Sequence, residues 1–380
     1  MKKLLKLFAL STILVLLLSA CSNGSNTPEP AAPTEPTLPT EPGTNALSSL
    51  RKLGDGVFAL EYEGDYCLDD IIASDSKTDS ELLAYFEESI PEWKTYKENG
   101  SPVTINLPAG FACSSIAAAN ADSCGGQIYG RNYDWTDSAI LLIHTKPYDG
   151  YESISTSCLS FVNLPRNWNP DTDGESAKFA ALTSVHVPID GMNEKGLYIS
   201  VLVAGDDHQT NQATDKHDVT TTVAMRYVLD RAANVDEAIS LLQSIDMYSV
   251  IGYAFHFAIA DNTGKSVVVE WYNNVMYTTE TPVVTNHYLT EGGIAGATAN
   301  NSYYAPTTGE QGSLTRYDTL TALNPSTAAL TQAQVAAGLE AAKQNSSNIA
   351  TLWSVVFEPN KRRATYYFRR EYTKPVVVEF

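Results

Sequence analysis

Apolar and polar positions alternate through the first well-patterned stretch of the chain. Phe58, Leu60 and Tyr62 interleave with Val57, Ala59, Glu61 and Glu63, the two-residue period of a strand over 56–63. Over 79–97 the spacing changes: Leu82, Leu83, Phe86 and Ile90 fit a helix that stops near Pro91. From 112 onward the pattern returns to β. Ala112 to Ala119 reads as a strand, 120–126 as a turn rich in Asn, Asp, Ser and Gly, and Gln127 to Asp134 as the hairpin partner. A second turn, Met192 to Gly196, feeds a strand from Leu197 to Val203. Residues 220–244 form two helices broken at Ala233-Asn234, with Asn234 as N-cap and Val235, Ala238, Ile239, Leu241 and Leu242 as the inner stripe. A hairpin (253–260 and 266–271, turning at Asp261 to Gly264), further strands over 275–285, helices at about 313–323 and 331–343, and strands at 351–357, 364–370 and 375–379 complete the pattern. Hairpin-linked strands interrupted by paired helices predict one α+β domain of antiparallel sheets with helices packed outside.

The N-terminus changes the picture of compartment. Lys2 and Lys3 precede an apolar run from Leu4 to Leu18 that is too short and wrongly flanked for a stable span. It ends in Leu18-Ser19-Ala20-Cys21, which resembles a bacterial lipoprotein signal; the competing reading is an ordinary cleaved secretory signal. Residues 1–20 are then a signal peptide, with Cys21 lipidated. The rest of 21–46, rich in Pro, Thr and Ser, is a solvated tether. The expected location is extracytoplasmic, at the cell surface, with the membrane met only through the N-terminal lipid. Hydrophobic residues make up 43% of the chain, enough for a sizeable core, and the net charge of −19 excludes a nucleic-acid binder, which needs a basic surface. Cys67, Cys113, Cys124 and Cys158 match no zinc spacing, and which of them pair, if any, stays open. Neither a metal nor a cofactor is expected. His208, His217, His256 and His287 lack ligand spacing and read as surface or packing groups.

Candidate chemistry sits in "CSSIAAANADSCGGQIYGRNYDW", residues 113–135. A thiolate is the competent nucleophile and a nearby guanidinium favours it, but no histidine lies in the stretch to take the proton from Cys113. The α-amine of Cys113 would serve if the chain were cut between Ala112 and Cys113, since such amines titrate at roughly 7.7 to 8.0. Asp134 would then hold the ammonium.

These residues resemble the start of the choloylglycine hydrolase and penicillin V acylase family of N-terminal-nucleophile (Ntn) amidases, with Gly130-Arg131-Asn132-Tyr133-Asp134 on the family's Gly-Arg-Asn-x-Asp run. The likeness continues through "DGMNEKGL" (190–197), "DNTGKSVVVE" (261–270), "VVTNHY" (283–288) and "SLTRYDTL" (313–320), in the family's order, over about 113–380. It implies an αββα sandwich, two antiparallel sheets between helical layers. The implied activity is a self-processing hydrolase of linear amides acting on small-molecule N-acyl conjugates: bile-acid amides, N-acyl amino acids, lipid amides or penicillin-like amides. By the same resemblance Cys113 attacks, Arg131 stabilises the thiolate, Asp134 orients the amine, Asn286 donates to the oxyanion, and Arg316 braces the site.

Two departures stand out. Where bile salt hydrolases place a second oxyanion asparagine, or penicillin V acylases a tyrosine, this chain has Val203, which offers only its backbone N–H; either that N–H serves the oxyanion or the substrate class differs from both. A long leader also precedes Cys113, as in acid ceramidase and acyl-coenzyme A:6-aminopenicillanate acyltransferase, so 47–112 is expected to be a propeptide packing on a catalytic domain at 113–380. Cys124 and Asn193 read as turn residues, Glu194-Lys195 as an exposed pair, and 136–180 and 204–219 as pocket-wall loops. Two rivals remain: an acyltransferase using the same acyl-enzyme, and a surface lipoprotein that binds without catalysing. Acyl and amine specificity, retention of the leader, and assembly into a homo-oligomer are left open.

Overall fold

Strands formed where the two-residue period is clearest, and their hairpin turns set the topology. In the computed structural model of the chain, the described residues are 44–89, 112–205, 209–250, 252–290 and 310–380. Cys21, the signal segment, the tether as far as residue 43, Ile90, Pro91 and His208 lie outside them; residues 44–46, expected in the tether, instead open a short helix with Ala46 buried.

In chain order the leader gives helix α1 (Thr44–Ser49), strands β1 (Arg51–Gly54) and β2 (Val57–Glu63), and helices α2 (Leu68–Ala73) and α3 (Asp79–Ser89). The remainder begins with the hairpin β3 (Ala112–Asn120) and β4 (Gln127–Trp135). Then come β5 (Ile140–Lys146), β6 (Ser153–Cys158), α4 (Glu175–Thr183), β7 (Asp190–Asn193), β8 (Tyr198–Gly205) and β9 (His217–Thr220). Helices α5 (Thr221–Arg231) and α6 (Val235–Gln243) are followed by β10 (Ile245–Tyr248), β11 (Ala254–Ala260), β12 (Ser266–Tyr272), β13 (Val275–Glu280) and β14 (Val283–Val284). The chain ends with α7 (Ser313–Thr321), β15 (Ala329–Leu330), α8 (Gln332–Ala341), β16 (Ala350–Glu358), β17 (Arg363–Phe368) and β18 (Val376–Glu379).

Among the described residues these strands make a nine-stranded sheet in the order β1-β2-β5-β6-β7-β8-β11-β12-β13 and a seven-stranded sheet built on β14-β3-β4-β16-β17-β18. Helices α5 and α6 pack on the first sheet and α7 and α8 on the second, while β3 faces β8 across the middle. The result is an α+β fold of two sheets between helical layers. Each strand of the second sheet divides its side chains by parity. Cys113, Ala117, Tyr129 and Tyr133 point into the core between the sheets, and Ile116, Ala118 and Ile128 point to α7 and α8.

The expected antiparallel pattern holds with three exceptions: β2 with β5, β15 with β3, and β9 with β10 pair in parallel. Parallel neighbours require a long connection, and each of these pairs is separated by intervening structure. The β2–β5 pairing is the consequential one. Seven consecutive residues, Val57 to Glu63, register with Ile140 to Lys146, so the segment before Cys113, expected to be a propeptide, is built into the larger sheet.

Residues 136–180, read above as a pocket-wall loop, instead hold β5, β6 and α4. Their apolar residues are half-concealed by Ser and Thr on β6, whose hydroxyls are buried, so the alternation that marks a strand is muted. Of the histidines read as surface or packing groups, His256 and His287 are buried and hydrogen-bonded, and His217 is exposed. Cys67, Cys113, Cys124 and Cys158 are all unbridged. No helix among the described residues is long and apolar enough to cross a membrane.

Candidate active site

Hairpin register brings the predicted residues together. Cys113 lies opposite Tyr133 and Ser115 opposite Arg131, so the thiol and the guanidinium share the inner face of the sheet. Asp134, one residue on, has the opposite parity and emerges on the other face, where it pairs across the ladder with Ala112 and Thr351. The site therefore wraps around the edge of one strand, with sulfur on one side and carboxylate on the other.

Arg131 is completely buried and spans the two sheets. Its Nη2 donates to the Val201 carbonyl at 2.6 Å, and its Nε lies 3.7 Å from the Asp190 carboxylate. Nε and Nη1 meet no nitrogen or oxygen acceptor at hydrogen-bond distance among the described residues; the guanidinium faces the Cys113 thiol and the Asp190 carboxylate. Burial pushes the Cys113 thiol above its usual range, against the pull of Arg131 beside it. Burial likewise raises Asp134 to about 6, opposed by Arg316, a hydrogen bond from Thr351 and Arg131. Among the described residues one Asp134 oxygen is satisfied: Oδ1 accepts from Thr351 Oγ1 at 2.5 Å, and Oδ2 has no partner there.

Asn286 is the hub. Its Oδ1 accepts from the Cys113 backbone N–H at 2.6 Å and from Arg316 Nη2 at 2.8 Å, and its Nδ2 donates to the Val203 carbonyl at 2.8 Å. Val203 thus enters through its carbonyl as well as through a side chain that lines the cavity beside Cys113. Arg316, buried on α7, also donates from Nη1 to the Cys113 carbonyl and to Ser114 Oγ. In this chain Cys113 N is a peptide nitrogen inside β3, so the geometry is that of the uncut 112–113 bond.

A second layer fixes Asn286. Next to it, the Thr285 carbonyl accepts from His256 Nε2 at 2.8 Å, while His256 Nδ1 faces Glu270 Oε1 at 2.9 Å. Both ring nitrogens are thus held, one by a carboxylate and one by a backbone carbonyl. Glu270 also takes N–H donors from Leu289 and Thr290, which closes the far end of the 285–290 segment. Burial tends to raise the Glu270 carboxyl, but His256 and the Thr290 and Leu289 donors outweigh it and hold the group below its usual range.

Sequence reasoning missed Asp190, Thr351, Ser114 and the His256–Glu270 pair. Asp190 stood inside a quoted motif, and its position between apolar Ile189 and Met192 was the available signal. Asn193 is purely a turn clamp: Nδ2 donates to Leu229 and Ala232 carbonyls, and Oδ1 accepts from Lys195 and Leu197 N–H. Cys124 stays in its turn, where its sulfur meets Asn120 Nδ2. Among the described residues no cluster of His, Cys, Asp and Glu has the geometry to hold a metal.

Two sheets stacked between helices, with a buried cysteine opening a central strand and two arginines on it, define the class of Ntn hydrolases. Residues 120–372 match the model of the acyl-coenzyme A:6-aminopenicillanic acid acyl-transferase family, and the chain belongs to that family. A penicillin V acylase of Pectobacterium atrosepticum is 23% identical over 180 residues, 44% of this chain and 46% of the relative, so the matched stretch spans about half the length of that protein. Among solved structures, a mutant conjugated bile acid hydrolase from Clostridium perfringens is 15% identical (70% of this chain, 92% of that chain, TM-score 0.48). A penicillin V acylase from Agrobacterium tumefaciens is 16% identical (70% and 84%, TM-score 0.45).

Proposed function

We propose that the protein is a self-processing cysteine amidase that cleaves the linear C–N bond of N-acyl conjugates. The observation that carries this reading is the set of contacts on Cys113: Asn286 on its nitrogen, Arg316 on its carbonyl, Arg131 beside its sulfur. Hydrolysis of the 112–113 bond leaves a carboxylate on Ala112 and frees the Cys113 nitrogen as an amine. The thiol proton passes to that amine, the sulfur bonds to the substrate carbonyl carbon, and the oxyanion accepts from the Asn286 side-chain N–H group, which in the uncut chain points at the Val203 carbonyl. The C–N bond then breaks as the ammonium returns its proton to the leaving amine, and water hydrolyses the thioester. Asp134, on the neighbouring strand, steadies the ammonium.

Transfer of the acyl group to an added amine is the second reading, favoured by the family that the chain belongs to. Product analysis with and without an acceptor amine separates the two. The direct test is Cys113→Ala: intact mass should show an unbroken chain and no turnover of any N-acyl amide. An uncut 112–113 bond in fully active wild-type protein refutes the reading. We also propose a lipid anchor at Cys21, which Cys21→Ser should release from the membrane fraction; unchanged membrane retention sinks that part alone.

A further inference from the structure

We infer that the leader segment supplies a permanent wall of the acyl pocket, and that this wall limits the enzyme to short apolar acyl groups. The inference rests on the amidase reading above. A cavity of about 60 Å³ opens beside Cys113, against roughly 300 Å³ or more for pockets that take drug-sized ligands. Three of its lining side chains, Leu82, Leu83 and Phe86, come from α3, upstream of the proposed cut. Leu82 and Phe86, four apart, present one helix face, and both are buried. Phe86 is fixed by stacking on His186 at 5.3 Å between ring centres. Among the described residues no charged side chain lines the cavity; its polar groups are the Cys113 thiol and the hydroxyls of Tyr133, Thr183, Thr221 and Thr222. A charged acyl group would be desolvated there with no partner.

The wall stays because the leader cannot leave cheaply. Strand β2 pairs along its whole length with β5, and removing it would open a bare edge on the sheet. Tyr66 donates to the Asp230 carboxylate, which is itself paired with buried Arg226 at 3.2 Å. Losing Tyr66 leaves an under-satisfied buried carboxylate. Val57, Phe58, Leu60 and Ile71 lie in the same core as the catalytic strands. The nucleophile and part of its specificity thus reside on different fragments once the chain is cut.

The test is kcat/KM for one amine acylated from acetyl to palmitoyl, with wild type, Phe86→Ala and Leu83→Ala. Wild type should favour short acyl groups, and each variant should raise the long-to-short ratio roughly tenfold or more, the usual scale for a few added methylenes in an apolar pocket. Leu83 is only half-buried, so its variant reads out even if Phe86→Ala fails to fold. A wild-type preference for long chains, or profiles that stay parallel across the three proteins, overturns the inference. Native mass spectrometry adds a check: active enzyme without the leader fragment overturns it too. No turnover of any acyl amide by wild type refutes the amidase reading instead.

Discussion

Asp134 offers a test of the buried site that needs no substrate. Burial raises its carboxyl from 3.8 to about 6 in the folded chain. A raised acid binds its proton more tightly when folded than when unfolded. Its stabilising contribution is therefore complete below about pH 4 and is lost as pH rises through about 6. The shift of about two units corresponds to about 3 kcal/mol. Asparagine cannot titrate, so Asp134→Asn removes this dependence and leaves a fixed offset from the lost Thr351 and arginine contacts. In the Cys113→Ala background, which on the proposed reading keeps the chain uncut, the variant should gain about 3 kcal/mol on its parent between about pH 4 and pH 7.5. Urea unfolding at several pH values, extrapolated linearly to water, measures the difference directly. A stability difference that stays flat with pH would refute the assignment of a strained, half-satisfied carboxylate.

Other outcomes follow from contacts away from the sulfur. Glu270→Gln replaces the buried carboxylate that faces His256 and takes the Leu289 and Thr290 N–H donors, and should destabilise by about 1.5 to 3 kcal/mol, read by chemical denaturation. Asn193→Ala abandons two carbonyls and two N–H groups in the Asn193 turn and should cost about 2 to 4 kcal/mol in the same assay. Gly130→Ala sets a Cβ 2.6 Å from Val335 Cγ1 and 2.8 Å from Ile116 Cγ2. It should cost about 1 to 3 kcal/mol, and Val335→Ala should restore much of that loss.

Much of this was legible in the chain because local signals and tertiary demands agreed. The Asn-Asp-Ser-Gly turn after β3 fixes its register with β4, and that register alone places Arg131 beside Cys113 and Asp134 on the reverse face. Asn234 announced its helix and indeed caps it, accepting from Glu237 N–H. What stayed hidden depends on long-range pairing. Nothing near residue 190 says that Asp190 will meet Arg131 from the other sheet. Nothing in 57–63 says that this strand joins one some 80 residues later, in parallel. Ser153 to Cys158 concealed a core strand because its small hydroxyls satisfy Arg226 instead of filling space, with Ser153 and Ser155 both accepting from that guanidinium. A polar strand that serves a buried charge has no periodic signature.

Charge balance explains why cutting and reactivity belong together on the proposed mechanism. The uncut site holds two guanidinium groups, Arg131 and Arg316, and two carboxyls, Asp190 and Asp134, all buried. With both carboxylates ionised this set is neutral, and a Cys113 thiolate would add an unbalanced negative charge in a medium that penalises it heavily. That is why burial keeps the thiol protonated despite Arg131. Opening the 112–113 bond makes an ammonium on Cys113 and a carboxylate on Ala112; the ammonium is covalently part of the cysteine and balances the thiolate once the new Ala112 end has moved away from the sulfur. The thiol should therefore titrate at lower pH in the cut enzyme than in the precursor, as followed by the pH dependence of iodoacetamide alkylation. Identical alkylation profiles before and after cutting would mean that the new amine does not feel the sulfur, and the proton path through it would fail.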